Sequence, residues 1–318
     1  MEQKLEMSET KKVSEHAQKP KVFNKPQWLK IKLTTNDNFI NIKNTIKQYK
    51  LNTVCESAHC PNISECWNTG TATFMLMGDI CTRACKFCAV KTGNPMKELD
   101  TNEPKNLAKA LAEIKLFDYV VLTSVNRDDL ADGGASHFAE CIKEVKKAYP
   151  EIIVEVLIPD FRADVEALRK IIEAKPEVIA HNIETVERLQ RKVRDVRANY
   201  KQSISVLENV KKMNSKIYTK SSIMLGLGEE DEEVIQVMKD LRAIDVDILT
   251  LGQYLRPTNW HLAVNEYVPP EKFEYFKNKA LELGFLFCAS GPFVRSSYKA
   301  GELFVSNILS AKPNQQNL

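Results

Sequence analysis

From residue 72 the chain alternates two kinds of segment, and this alternation restricts the fold more than any other feature. Near-continuous apolar runs rich in β-branched residues recur as TFMLMGD, YVVLTS, IIVEVLIPD, EVIAHN, IYTKSSIMLGLG and VDILTLGQY. Between them lie amphipathic stretches near 104–116, 134–148, 164–174, 201–213 and 230–243, and another follows near 270–282. A strand that is apolar along its whole length is covered on both faces, and strands separated by helices pair in parallel. The six strand–helix units fall two short of the eight in a closed barrel. The expected fold is therefore α/β, an open, partial (β/α)6 barrel, with a doubly wound open sheet as the alternative. Polar loops (NRDD, PDFR, NIET, GLGEEDEE) follow the strands. In parallel α/β folds, chemistry collects at the carboxyl ends of strands.

The rest of the chain divides around that barrel. Residues 1–24 are polar and Lys/Glu-rich, which reads as a mobile tail. Residues 25–71 form an N-terminal extension, in which Phe39, Ile42 and Ile46 recur at helical spacing behind Asn and Asp caps. The barrel occupies 72–284, and 285–318 form a C-terminal extension containing RSSY. The net charge of +3 and pI near 8.3 are too mild to argue for nucleic acid. No apolar run approaches the roughly 18–20 residues of a membrane span, so no membrane partner is expected. The N-terminus lacks the apolar core of a secretory signal and holds several Glu, unlike a mitochondrial presequence. The expected location is cytoplasmic.

Eight cysteines are present, and six of them fall within residues 55–88. In a reducing compartment such clustering reads as metal binding rather than disulfides. Cys141 and Cys288 lie in apolar surroundings and read as buried packing residues. The six form two triplets, Cys55-x4-Cys60-x5-Cys66 and Cys81-x3-Cys85-x2-Cys88. Tetrahedral zinc and cubane iron–sulfur clusters normally take four protein ligands, so each triplet is one short. The second spacing suits a loop that binds three corners of a four-iron cubane and leaves one iron open. A zinc knuckle with a distant fourth ligand is the alternative, although zinc sites more often start from C-x2-C. A ferredoxin-like carrier would supply four cysteines per cluster.

With Phe87 between Cys85 and Cys88, the second triplet resembles the signature of the radical S-adenosylmethionine superfamily. The resemblance implies a 4Fe-4S cluster whose open iron is chelated by the amino nitrogen and carboxylate of S-adenosyl-L-methionine. It also implies one-electron cleavage to a 5′-deoxyadenosyl radical. The first triplet carries the resemblance further, to the lipoyl synthase family. It is joined by KPQWLK, NTVCESAHCPNISECW, GDICTRACKFCAV, VVLTSVNRDDLADGGASHF, HNIETV, SIMLGLGE, LTLGQYLRPT and GPFVRSSYKAGE, over residues 25 to about 305. Ala84 and Lys86 fall at variable spacer positions, and Lys299 stands where His or Arg is common.

That resemblance implies a second, auxiliary 4Fe-4S cluster on Cys55, Cys60, Cys66 and a serine of RSSY, Ser297 in preference to Ser296. This cluster would be consumed as the sulfur donor at C6 and C8 of an octanoyl-lysine. The residues alone leave RSSY open to a plainer reading, a helix cap. The implied substrates are octanoylated lipoyl domains of 2-oxoacid dehydrogenase E2 subunits and the glycine cleavage H protein. A flavodoxin or ferredoxin would be the reductant, and iron–sulfur cluster carrier proteins would rebuild the cluster.

Other polar residues at strand ends are candidates for holding the cofactor. Thr123, Ser124, Asn126 and Arg127 offer hydroxyl, amide and guanidinium groups for a ribose and a carboxylate, or they make an ordinary polar loop. Asn182 and Glu184 follow the fourth strand; Glu184 reads either as a ribose acceptor or as an acid favoured by a helix dipole. GLGEE lacks the glycine pattern of a phosphate loop. His59 reads as a spacer, while Trp260, His261 and KFEYF read as packing. The run RLQRKVRDVRANY, 188–200, reads as a solvated basic face that could meet an acidic carrier domain.

Overall fold

The computed structural model describes residues 25–30, 36–96 and 98–298. The expected tail at 1–24, the residues just after Lys30 and Lys299 lie outside these. Helix α1 (Asp37–Gln48) begins where Asn36 accepts a hydrogen bond from the Phe39 amide, and it buries Ile42 and Ile46. Phe39 packs on Trp67 with ring centroids 5.1 Å apart.

Seven strands make the main sheet: β1 (Thr73–Leu76), β2 (Tyr119–Ser124), β3 (Ile153–Leu157), β4 (Val178–Ala180), β5 (Tyr218–Leu225), β6 (Ile248–Gln253) and β7 (Phe287–Gly291). All neighbours pair in parallel, and their order in the sheet is their order in the chain. Because crossovers between parallel strands are right-handed, an unreversed order puts every helix on the same face. A doubly wound sheet would reverse at a switch point, and this one does not. The crossover helices are α2 (Glu103–Ile114), α3 (Ala135–Ala148), α4 (Val165–Glu173), α5 (Tyr200–Met213), α6 (Asp231–Ala243) and α7 (Pro270–Glu282). β1 and β7 are not paired to each other, so the barrel stays open. The six expected strand–helix units are all present, and a seventh strand follows the last helix, extending the sheet into the segment read as a C-terminal extension.

Side-chain alternation sorts the core into layers. Val120, Leu122, Val154 and Val156 face outward against Leu107, Leu111 and the rest of the helical shell. Facing inward, Tyr119, Ile153, Val178, Tyr218, Ile248 and Phe287 gather with Val121. Those six are the first residues of β2 to β7, so an apolar layer plugs the amino end of the barrel. Above it Lys220 donates to both oxygens of Glu155 at 2.8 Å, and the Tyr119 hydroxyl donates to the same carboxylate at 2.6 Å. The carboxyl end is left for chemistry. Among the described residues no helix is long and apolar enough to cross a membrane.

Candidate functional site

Cys81, Cys85 and Cys88 lie on the loop after β1. Met77 and Gly78 turn the chain into it through left-handed conformations, φ 67° and 93°. The two oxygens of Glu103 accept from the Met77 amide at 3.2 and 2.9 Å, and His137 hydrogen-bonds the same carboxylate at 2.6 Å. Ile80–Cys81 then pair in parallel with Lys91–Thr92 and close the base of the loop.

The middle of the loop is held by charges that the sequence reading did not single out. Arg83 is buried between Cys81 and Cys85. It donates to Asp128 from Nε at 3.0 Å and Nη2 at 2.9 Å, and to Asp160 from Nη1 at 2.5 Å and Nη2 at 2.8 Å. Burial alone would raise both aspartates, but the Arg83 hydrogen bonds outweigh it and hold them below the usual carboxylate range. Asp195 accepts from the Ala84 amide at 2.9 Å and from Arg197, while its own amide points at the Cys85 sulfur at 3.3 Å. The Asn126 amide points at the Cys81 sulfur at 3.3 Å. His261 is hydrogen-bonded to the Cys88 carbonyl at 2.9 Å. Amides directed at sulfur favour the thiolate.

Arg194 corrects the reading of 188–200 as a solvated face. It is buried and donates to Gln190 at 3.2 Å and to Ser203 at 2.7 Å. Its charge acts on both Cys85 and Glu184. In the same run Arg188 pairs with Glu233 and Arg197 with Asp195, whereas Arg191 and Lys192 are exposed.

The strand-end candidates divide by geometry. Ser124 Oγ and Asn182 Oδ1 are buried with no hydrogen-bond partner. Glu184 sits in a left-handed conformation, φ 68°, and burial raises its carboxyl while Arg194 and Asn182 oppose that. Thr123 spends its hydroxyl on the Leu157 carbonyl at 2.8 Å, and the Arg127 guanidinium is turned to Asp129 at 2.7 Å. Asn126 uses its backbone, accepting from the Thr82 amide at 3.0 Å. Phe87 is partly buried, packed against the core cluster that includes Ile183, Val193 and Tyr254. Glu229 receives the amides of Gly226 and Leu227, so GLGEE fills its own amide nest.

The first triplet lies at the opposite flank of β1. Cys55 and Cys66 ride on short helices, Val54–Ser57 and Ile63–Asn68, and Cys60 lies in the turn between them. Thr53 bridges antiparallel to Phe74, which lays this segment along the free edge of β1. Asn62 donates to the Phe293 carbonyl at 2.7 Å, and Thr73 and Ser297 share a hydroxyl hydrogen bond of 2.8 Å across 224 residues of sequence. The segment after β7 is thereby tied across the barrel opening. A small cavity results, lined by Cys55, Cys60, Cys66, Arg295, Ser297 and Tyr298 among others; Ser296 is not part of its lining. His59 is exposed.

The thiols fit soft-metal ligation. Burial pushes Cys55 and Cys85 up to about 11 and Cys88 to about 12, and it raises Cys60 as well. Cysteines so placed are held as thiols until a metal replaces the proton. Among the described residues, the group of three ligand atoms that all approach within 4.8 Å is Glu103, His137 and Cys141, and neither cysteine triplet is that tight. Four thiolates on one zinc would sit about 3.8 Å apart, given a Zn–S length near 2.3 Å. The wider spread suits a polynuclear cluster, and the orphaned Ser124 and Asn182 atoms suit a polar molecule beside it.

A model of the radical SAM superfamily matches residues 75–241, and one of the N-terminal domain of lipoyl synthase matches residues 1–60. Among solved structures, the FeFe-hydrogenase maturase HydG from Carboxydothermus hydrogenoformans superposes with TM-score 0.53 at 14% identity, over 85% of this chain and 72% of that one. Methylornithine synthase superposes with TM-score 0.51 at 16% identity, over 80% and 70%. At such identities the likeness is one of fold. Fold and superfamily match together define the class: a radical S-adenosylmethionine enzyme, whose superfamily uses a 4Fe-4S cluster and that cofactor. The lipoyl synthase of Halobacterium salinarum is 59% identical over 290 residues, 90% of this chain and 92% of that protein. The mitochondrial lipoyl synthase of Bos taurus is 55% identical over 292 residues, 90% of this chain and 78% of that protein. The chain belongs to the lipoyl synthase family, whose reaction is radical-driven insertion of sulfur.

Proposed function

We propose that this chain completes lipoyl groups in place, inserting sulfur at C6 and C8 of an octanoyl-lysine on a lipoyl carrier domain, with a different duty for each triplet. Cys81, Cys85 and Cys88 hold the radical cluster. Ser124, Asn182 and Glu184 line the site for S-adenosyl-L-methionine, joined by Phe87 and the loop of Thr123, Asn126 and Arg127. When bound, cluster and cofactor supply reductive cleavage to a hydrogen-abstracting radical. Cys55, Cys60, Cys66 and Ser297 hold a second 4Fe-4S cluster, which is a substrate, because its sulfur leaves in the product. A serine oxygen is a harder and weaker partner for iron than a thiolate, which suits a cluster that is opened in use.

One observation carries this reading. Ser297 shares a cavity with three cysteines more than two hundred residues upstream, tied there through Thr73. The barrel plug at the amino end and the orphaned polar atoms at the carboxyl end support a substrate entering from the cysteine side. The wider set of partners follows from the chemistry. Lipoyl domains of 2-oxoacid dehydrogenase E2 subunits and the glycine cleavage H protein would bring the octanoyl group. A flavodoxin or ferredoxin would bring electrons, cluster carrier proteins would restore the consumed cluster, and a reducing, cytoplasm-like compartment would keep the thiols free.

Anaerobic reconstitution tests the division of labour. The wild-type chain is expected to take up on the order of eight iron atoms, four per cubane. Cys60→Ala is expected to keep the radical cluster and cofactor cleavage but to place no sulfur in the product. Tight zinc with no iron, or normal product from Cys60→Ala, overturns the reading.

A further inference from the structure

Three segments meet on the outer side of the radical cysteine loop: the loop itself, the run after β4 and the loop after β6. The Lys86 amide donates to the Val193 carbonyl at 2.9 Å, and the Leu262 amide donates to the Lys86 carbonyl at 3.2 Å. His261, bonded to the Cys88 carbonyl, completes the junction. Their solvent face is basic, with Lys86, Arg191, Lys192 and Arg256 all exposed. Residues 84–88, 190–197 and 256–262 contain one acid, Asp195, and it is buried and paired with Arg197. Two apolar side chains stand out from this basic field, Trp260 at 70% exposure and Val196 at 79%. Arg256 holds the Trp260 loop in shape by donating to the His261 carbonyl at 2.8 Å.

We propose that this surface docks a small acidic one-electron carrier protein, the donor that the radical cluster needs. The inference rests on the function proposed above. Charge complementarity selects an acidic partner and speeds its encounter. An exposed tryptophan on a braced loop is the kind of anchor that supplies most of the energy at small interfaces. Position decides between two acidic partners. The auxiliary cavity spans the opening between β1 and β7, where a lipoyl domain must present its acyl chain. The basic face covers the cysteine loop from the β4 and β6 side, where Ala84 and Lys86 reach solvent between cluster ligands. Electron transfer weakens steeply with distance, and this face is backed directly by the ligand loop. In each encounter the carrier is oxidised by one electron and the cluster is reduced by one, for one S-adenosylmethionine cleaved.

The test uses the reconstituted full chain, flavodoxin as the probe carrier and an octanoylated lipoyl domain as the competing partner. Direct binding is measured for wild type, for Arg191→Glu with Lys192→Glu, and for Trp260→Ala. The double reversal is expected to weaken flavodoxin binding at least tenfold at low salt, with the difference shrinking at high salt, and to leave lipoyl-domain binding unchanged. Trp260→Ala is expected to weaken flavodoxin binding at both salt concentrations. Unchanged flavodoxin binding overturns the proposal, and so does a loss of lipoyl-domain binding in the double variant. Deoxyadenosine production by wild type with dithionite is the separate control: its failure would strike the radical function itself, whatever the binding data show.

Discussion

Replacing Arg83 with lysine keeps the charge but removes the fork that grips two carboxylates. The guanidinium makes four charge-assisted hydrogen bonds, two to Asp128 and two to Asp160. An ammonium group is a single point of donation and cannot span both acids in this geometry. Losing two of the four bonds, at about 1.5–3 kcal/mol each for bonds to charged groups, removes about 3 kcal/mol or more. Removing the charge altogether, as in Arg83→Met, leaves the buried Asp160 carboxylate without its guanidinium partner, while Asp128 keeps Thr82 and Arg197, and costs about 3–5 kcal/mol. Because Arg83 lies between Cys81 and Cys85, the loss falls first on the ligand loop. Urea unfolding of the metal-free chain is expected to move its midpoint down by about 1 M for Arg83→Lys, with a slope near 3 kcal/mol/M. Iron uptake is expected to fall by the share of the radical cluster. An Arg83→Lys variant with wild-type midpoint and full iron would refute the claim that this clamp presets the loop.

Four further outcomes are expected. Cys85→Ala should abolish deoxyadenosine formation while retaining about four iron atoms, those of the auxiliary cubane, by iron assay. Ser297→Ala should still cleave cofactor yet form no dithiolane; undiminished product would return the serine to a structural role. His181 is buried, donating from Nδ1 to the Ile158 carbonyl and accepting from Ser203 at Nε2, and burial holds it down at about 4. The unfolded state therefore takes up a proton near pH 6.5 while the folded state does not. Stability should fall by up to about 3 kcal/mol as pH drops from 6.5 to 4, and His181→Gln should flatten that slope in thermal melts. Alkylation of Cys55, Cys85 and Cys88 in the metal-free chain by iodoacetamide, followed by peptide mass, should be slow at pH 7 and still slow at pH 9, since burial raises these thiols to about 11–12.

What the sequence disclosed follows from how each feature is encoded. Strands β1 to β4 and β6 are mostly apolar runs covered on both faces, so they stand out one by one, and β5 shows by its apolar end although Thr219 to Ser222 are polar. β7 reads FCASG, poor in β-branched residues, and it becomes a strand only by pairing with β6. The cysteine triplets were legible because soft-metal ligation restricts both residue type and spacing. Ser297 has no such signature, and only the family resemblance distinguished it from a cap. The Arg83, Asp128, Asp160 and Asp195 network was invisible because its members are scattered through polar loops that look solvated. Arg194 is hidden for the same reason: a cation satisfied by Gln190 and Ser203 looks, in sequence, like any surface arginine. The likeness of Thr123 and Arg127 to cofactor-holding residues is qualified by the partners they already have, Leu157 and Asp129.

The central claim is that one triplet makes the radical and the other surrenders its sulfur. It is tested most directly by loading the chain with ³⁴S-labelled clusters. The enzyme is then incubated anaerobically with S-adenosylmethionine, dithionite and an octanoyl-lysine peptide. Deoxyadenosine should appear together with a dithiolane in which both sulfur atoms are heavy, and Cys60→Ala should yield deoxyadenosine alone. A dithiolane carrying unlabelled sulfur from solution would contradict the account.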